Sequence, residues 1–319
     1  MPFDMAASQA TAAFQAAREA ATRAPRLYSL LVHWRGKTVF EYHAKGVRPG
    51  RATNVKSVSK SVISALVGIA IQRGLIPGVN TPISRYFPAV LKDPNPDKRG
   101  ITVEDLLTMR SGLASTSFDN YGSWVRSRNW VRYVLDLPLV SDPGTTMEYS
   151  TGNSHLLSAI LTKATRMSTH RFAQEVLATP LGFKLAPWPR DPQGIFFGGN
   201  EMLMTPSQML ELGELYLRRG RLNNRQIVPA EWIERSCVPR GRSRFNPDQG
   251  YGYGWWTRTF AGEEACFAWG FGGQYIFVFR ELDLVVVTTS VATVSDERRD
   301  HRRQIFDILE RHIVPAVVD

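Results

Sequence analysis

Strand-like stretches lie at both ends of this chain and helical periodicity fills the middle, an order that restricts the fold more than any single residue does. Near the start, "LYSLLVHWRGKTVFEYHAKG" reads as a hairpin of two strands turning at Arg35-Gly36-Lys37. Near the end, "YGYGWWTRTF", "ACFAWGFGG", "QYIFVFRE" and "LDLVVVTTS" are aromatic and β-branched, with "RELD" as a turn between the last two. Between them, from Thr102 to about Gly220, "ITVEDLLTMRSGL", "NSHLLSAILTKATRM" and "TPSQMLELGELYLRRG" carry helical spacing. A sheet assembled from both chain ends with a helical insertion satisfies that order. The expected class is α/β (α+β), an antiparallel sheet flanked by helices. Residues 1–85 and 221–319 would form the sheet domain and 86–220 the inserted, mainly helical domain, with a cleft between two lobes.

With 319 residues, 43% hydrophobic and 21% charged, the composition is that of an ordinary globular protein, which removes disordered and fibrous classes. An Ala-rich helix is expected from about Met5 to Arg23, stopped by Pro25. The net charge of +10 raises the question of nucleic acid, but the basic residues are scattered. The densest run, "ERRDHRRQ", alternates with acids and opens a helix with Ile305, Ile308, Leu309 and Ile313 at helical spacing; it reads as a solvated face, and no nucleic-acid partner is expected. The N-terminus shows no basic segment followed by an apolar core, and no run of 18 apolar residues occurs, so the expectation is a cytoplasmic protein without a signal peptide or membrane span. Cys237 and Cys266 follow no ligand spacing and read as buried thiols rather than a bridge. No H-E-x-x-H or carboxylate cluster suggests a metal, and no cofactor is expected.

The stretch Ala52–Gly68, "ATNVKSVSKSVISALVG", belongs to a long apolar helix that ends near "IQRG" with Gly74 as its C-cap. Within it, Ser57 and Lys60 are three apart and meet on one face, whereas Ser59 and Ser61 point elsewhere. A serine hydroxyl needs a base to become a nucleophile, and burial lowers a lysine's pKa enough to make it one. At a helix start, the Ser57 N–H also offers half of an oxyanion hole. The S-x-x-K spacing alone is weak, since it should occur roughly once by chance in a chain of this length. Two further stretches add to it. "PGTTMEYSTGNSHLLSAIL" places Tyr149 just before a helix, where a nearby ammonium would ease loss of its proton for acid or base work. "FAWGFGGQYIFVF" enters a strand through Gly270, Gly272 and Gly273, permitting close approach of a ligand and backbone N–H donors.

This succession resembles the serine β-lactamase and penicillin-binding-protein superfamily, and within it the class C β-lactamase-related branch that includes esterases and 6-aminohexanoate-dimer hydrolases. "ITVEDLLTMRSGL", "PGTTMEYS", "LMTPSQMLELGELYLRRGRLNNRQIVPAEWI" and "YGYGWW" look like its accessory segments, so the resemblance covers nearly the whole chain. It implies a β-lactamase/transpeptidase-like fold, with Ser57 as acylated nucleophile, Lys60 as its proton partner and Tyr149 as the base of the second motif. The oxyanion hole would come from the Ser57 N–H and the strand after Gly270, with Gly270, Phe271, Trp269 and Asn153 as oxyanion or substrate contacts.

Two departures from the family pattern stand out. The second motif has Thr151 where Y-x-N has Asn, leaving Thr151 or Asn153 for the polar contact to Lys60 or substrate. The third motif reads Ala268-Trp269-Gly270, without the leading Lys or His that would hold a carboxylate, which argues against a dedicated β-lactamase. The reading is a cofactor-free serine hydrolase of small-molecule esters or amides. Its rivals are a true β-lactamase or D-alanyl-D-alanine carboxypeptidase, and a non-catalytic binder of peptides or cell-wall fragments. His155 reads as structural, His33 and His43 as exposed, and Trp124, Trp130, Trp255 and Trp256 as core.

Overall fold

The computed structural model describes residues 3–244 and 246–318. Helix α1 (Phe3–Thr22) leads into strands β1 (Leu27–Trp34) and β2 (Lys37–His43). A 3-10 turn (Lys56–Val58) runs directly into α2 (Ser59–Gln72). After shorter helical turns come α3 (Thr151–Thr165) and α4 (Pro206–Leu217). Strands β3 (Trp256–Phe260), β4 (Glu263–Gly270), β5 (Gln274–Phe279) and β6 (Leu284–Ser290) precede α5 (Arg298–Ile308).

Two compact units result. One comprises Met1–Val58, Leu203–Arg218 and Thr257–Asp319, the other Ser59–Met202 and Arg219–Trp256. These divisions fall elsewhere than the expected 1–85, 86–220 and 221–319. Helix α2, buried on every side, groups with other helices, whereas α4 has one apolar face to lay on the sheet.

In the sheet unit the strand order is β2-β1-β6-β5-β4-β3, and the ladders β1–β2, β1–β6, β5–β6 and β4–β5 are antiparallel. The two chain ends therefore meet where β1 pairs with β6, as the strand distribution predicts. Arg35 and Gly36 both take positive φ (49° and 76°), the two-residue turn whose twist matches the strands it joins. His33 and His43, expected on the surface, are half-buried beside Glu214 and Glu41.

Strict alternation sorts the side chains onto two faces. Ala268, Ile276 and Val285 face α4, and Gly213 lets that helix approach closely: a Cβ there would stand 2.5 Å from Val285 Cγ1. Phe267, Tyr275 and Phe277 face the other way, toward Phe306 on α5. On that same face Phe14 of α1 stacks on Phe40 at 5.7 Å. The basic run of α5 is the expected solvated face only in part. Arg299 and Arg303 are exposed, but His301 is buried and Arg298 and Arg302 lie over the Phe271 and Trp269 rings. The helix buries Ile305 and Ile308, with Leu309 and Ile313 continuing the buried stripe.

In the helical unit, every residue of α2 from Ser59 to Ala70 is buried. Close packing explains its small residues. A Cβ on Gly68 would lie 2.5 Å from the Trp232 indole, and Ser61 Oγ donates to the Gly254 carbonyl at 2.7 Å. No helix among the described residues is long and apolar enough to cross a membrane. The expectation of free cysteine thiols is corrected: no free cysteine is present among the described residues. A single pair has no spacing pattern from which a bridge could be read.

Helix α5 reaches the sheet through His301, whose Nε2 bonds Ser290 Oγ at 2.9 Å. Burial pulls the imidazole pKa down to about 4, with the Arg26 charge acting in the same direction and Gln304 opposing. The unfolded chain, with an ordinary histidine, takes up a proton first as pH falls below about 6.5, so stability is full above that pH and declines toward pH 4. Thermal unfolding between pH 7 and 4 is expected to show a loss on the order of 3 kcal/mol from this residue. His301→Gln should flatten that part of the profile, and an unchanged slope in the variant would assign the acid sensitivity elsewhere.

Candidate active site

Ser57 stands at a sharp corner of the sheet unit. The two-residue strand Thr53–Asn54 pairs with Leu203–Met204, and the chain then turns through Lys56, whose φ of 51° lies in the left-handed region. For a residue with a side chain that conformation costs roughly 1–2 kcal/mol. It is held by Asn54 Oδ1, which accepts from the Lys56 N–H at 3.0 Å, and by the Val58 N–H donating to the Val55 carbonyl at 3.2 Å. The corner rests against β4. Contact is so close that a Cβ on Gly270 would lie 2.1 Å from the Val55 carbonyl oxygen, so only glycine fits there.

Beyond Gly270 the chain turns through Phe271, Gly272 and Gly273, the two glycines at φ 86° and 105°. The turn is rigidly anchored. Gln274 bonds both the N–H and the carbonyl of Ser290 (3.0 and 2.8 Å), and the Gly273 carbonyl accepts from Thr288 Oγ1 and Ser290 Oγ (2.8 and 3.0 Å). Strand alternation corrects the expectation for Trp269. Its ring stacks on Tyr275 and lies under the Arg302 guanidinium, on the α5 face, opposite to Gly270 and the Ser57 corner. The Phe271 side chain likewise sits beneath Arg298 of α5, leaving its backbone as the part of that residue relevant to a site.

Lys60, on α2 in the helical unit, is 3% exposed. Its Nζ donates to the Gly199 carbonyl at 2.8 Å and to Thr151 Oγ1 at 3.2 Å. Burial lowers its pKa from 10.5 to about 7, so near neutrality a large share is the uncharged amine. Tyr149 immediately precedes α3, as expected, and its ring lies 5.1 Å from the Lys60 nitrogen. The ring is wedged between Trp256, stacked at 5.6 Å, and Tyr251, edge-on at 6.0 Å.

Between the two candidates for the second-motif polar role, Thr151 is the one bonded to Lys60. Asn153 is fully buried with Oδ1 accepting from Ser111 Oγ at 3.0 Å and its amide near Met109 sulfur. Two residues along a helix is about 200° of rotation, so both side chains cannot face Lys60. The expectation that Asn153 contacts substrate is corrected to a role in seating α3.

Several residues escaped the sequence reading. Ser115 Oγ donates to the Tyr149 carbonyl (2.6 Å), Ser117 Oγ accepts from the Thr151 N–H (2.7 Å), and Thr116 Oγ1 accepts from the Gly152 N–H (2.8 Å). This Ser-Thr-Ser run caps the start of α3 from outside it, in place of the Ser150 side chain, which makes no capping bond. A small-polar triplet before a helical stretch is the only signal it leaves. Gly199, which acts through its carbonyl, leaves none. Trp124, Trp130, Trp255 and Trp256 are buried as expected.

A family model described as Beta-lactamase matches residues 16–310. Among solved structures, EstCE1, a hydrolase with promiscuous acyltransferase activity, is 17% identical with a TM-score of 0.75, covering 96% of this chain and 100% of that one. A Bacillus anthracis protein assigned as a 6-aminohexanoate-dimer hydrolase is 18% identical with a TM-score of 0.71, covering 91% and 80%. A D-stereospecific amidohydrolase from Streptomyces sp. is 18% identical with a TM-score of 0.70, covering 94% and 98%. At these identities the structural likeness establishes the fold.

The glycine at 270 provides a test of the corner geometry. Gly270→Ala is expected to destabilise by about 1–3 kcal/mol, because backbone rather than a flexible side chain must move. Gly50→Ala, where the added methyl meets nothing within 4 Å, should leave the melting temperature unchanged. Equal melting temperatures for the two variants would contradict the close packing of the corner on β4.

Proposed function

The chain belongs to the beta-lactamase family of serine hydrolases, and we propose that it cleaves short, uncharged carboxylic esters, and neutral amides more slowly, through an acyl-enzyme on Ser57. The observation that carries this reading is the burial of Lys60 beside two fixed acceptors. A neutral amine that donates to Gly199 and Thr151 keeps a lone pair with which it can accept a proton. Ser57 and Lys60 are three apart in one uninterrupted helical run, the spacing at which side chains meet.

In this mechanism Lys60 takes the Ser57 hydroxyl proton as Oγ attacks the substrate carbonyl. The oxyanion that forms is met by the backbone N–H groups of Ser57 and Phe271. Tyr149, beside the ammonium so produced, passes a proton to the departing alkoxide or amine, and water then releases the acid by the reverse sequence. No cofactor takes part in any step.

Substrate charge follows from Ala268, fully buried on the same strand face as Gly270. A charge-assisted bond to a substrate carboxylate contributes on the order of 1.5–3 kcal/mol, and alanine supplies none of it. This disfavours the β-lactamase and carboxypeptidase readings. A silent binding protein is disfavoured by the cost of burying Lys60 with no chemistry to use it. The names of the structural neighbours span acyl transfer and amide hydrolysis, in keeping with an ester and amide range.

A fluorophosphonate probe is expected to label the peptide containing Ser57, and Ser57→Ala should abolish labelling; persistent labelling in that variant would refute the assignment. With Lys60 active as the amine, kcat/KM for nitrophenyl butyrate should rise with pH through about 7 and then level, since below that pH the ammonium cannot accept a proton. A profile flat between pH 5 and 9 would remove Lys60 from the role of base. Nitrophenyl butyrate should be hydrolysed in preference to nitrocefin. A wild-type preference for nitrocefin would replace this reading with that of a β-lactamase.

A further inference from the structure

The hydrolytic reading leaves one buried titratable pair of the helical unit unused, His155 with Asp191. Both are buried, and His155 Nε2 lies 3.0 Å from Asp191 Oδ2. On the other side of the ring, Nδ1 accepts from the Gly198 N–H at 3.3 Å. Trp124, Trp130 and Phe197 surround the imidazole, with ring centroids 5.3–5.9 Å from it. Burial lowers the His155 pKa, against the opposing pull of Asp191, and keeps the ring neutral. A neutral imidazole has one N–H and one lone pair, so accepting at Nδ1 requires the proton on Nε2, pointed at the carboxylate.

Asp191 organises the segment that follows it. Its Oδ1 accepts from the Gln193 and Ile195 N–H groups at 2.9 and 2.8 Å, winding residues 191–195 around the carboxylate. Gly198 and Gly199 then lie flat on the first turn of α3. A Cβ on Gly198 would stand 2.1 Å from the Ser154 carbonyl oxygen, and one on Gly199 would stand 3.0 Å from Ser154 Cβ and 3.2 Å from Lys60 Nζ. His155 is one turn beyond Thr151 on the same side of α3, so a single helix face carries one direct partner of Lys60 and the residue that fixes the other.

We propose that the His155–Asp191 pair is a positioning element for Lys60: it fixes Gly198, and thereby the adjoining Gly199 carbonyl that the Lys60 nitrogen donates to. The role rests on Lys60 acting as proton acceptor in the reading above. A histidine that merely filled the core would leave Lys60 indifferent to its tautomer and to Asp191. Around Lys60 stand the Tyr149 ring with Tyr251 against it, the Thr151 hydroxyl and the Gly199 carbonyl. Of the other elements packed on α2, helix Ala230–Ser236 brings Glu231 and Arg235 beside Gly68, two turns beyond Lys60, and also carries Glu234, which is exposed. The turn Gln174–Ala178 carries Glu175, which is exposed.

The first test uses the wild-type protein. Imidazole nitrogen NMR should show His155 with a protonated Nε2 and a bare Nδ1; a proton on Nδ1 excludes the Gly198 bond and overturns the proposal. The second uses Asp191→Asn, whose single amide oxygen cannot serve both the backbone N–H groups and His155. In a Ser57→Ala background, the Lys60 Cε titration should move at least half a pH unit lower, because the ammonium loses an acceptor. With Ser57 present, the fluorophosphonate labelling rate per folded molecule should fall by ~10–100-fold, as misplaced catalytic groups do. Gly199→Ala, whose methyl would crowd the same nitrogen, should also lower the labelling rate, and keeps the test open if Asp191→Asn fails to fold. A Lys60 midpoint that stays or rises, or a labelling rate within twofold of wild type, overturns the proposal. If instead the wild type is not labelled, or Lys60→Ala labels as fast, the hydrolase reading fails and not the positioning of Lys60.

Discussion

An ammonium taken out of water is among the most costly things a protein interior can hold, and the helical unit is arranged around one. Removing a charge from water without compensation costs several kcal/mol, which is relieved either by partners or by losing the proton. Lys60 does both. Its pKa drops to about 7, and its nitrogen is met by the Gly199 carbonyl and the Thr151 hydroxyl, neither of which carries charge. A carboxylate in either place would have held the proton on. Everything nearby follows from supplying neutral acceptors in a dry place: a helix buried all round, a second helix whose start is capped by a neighbouring loop, and two glycines thin enough to let a carbonyl reach the nitrogen.

The other unit has a different task, and meets it with rigidity. A serine at a left-handed corner and a glycine strand end are held against each other by contacts too close for any side chain at Gly270. The far end of the turn after Gly270 is tied down by Gln274, Thr288 and Ser290. Preorganised N–H groups stabilise charge because they need not move when it appears. Ser57 falls in one unit and Lys60 in the other, the first of the chain's four passages between them lying between Val58 and Ser59.

Much of this was legible in the sequence, and the misses have specific causes. Aromatic and β-branched runs at both ends, with helical spacing between them, identified the architecture, because those preferences follow local backbone geometry. Ser57, Lys60 and Tyr149 were singled out by the S-x-x-K spacing, by a tyrosine just before a helix and by the family resemblance. Trp269 and Asn153 were misplaced although the information existed: one step along a strand flips the face, and two steps along a helix turn the side chain away. The Gly199 carbonyl, the Ser115–Ser117 cap and the His155–Asp191 pair join residues tens of positions apart through backbone atoms or generic hydroxyls, and no local pattern encodes such partners. The state of the two cysteines was illegible for the related reason that one pair has no spacing to compare.

The placement of Ser57 against β4 has a consequence for the order in which the molecule comes into being. Ser57 is made early and Gly270, on which its corner rests, is made late. At ordinary synthesis rates the interval between them is on the order of 10–40 s, and contacts of such long sequence separation are slow to close even then. Throughout that time the helical unit can gather around Lys60, but the corner that presents the hydroxyl has no strand behind it. A nascent chain, and one cut short before residue 270, therefore lacks the support that the Ser57 corner has in the finished molecule. The corner takes its final shape only with the last strands.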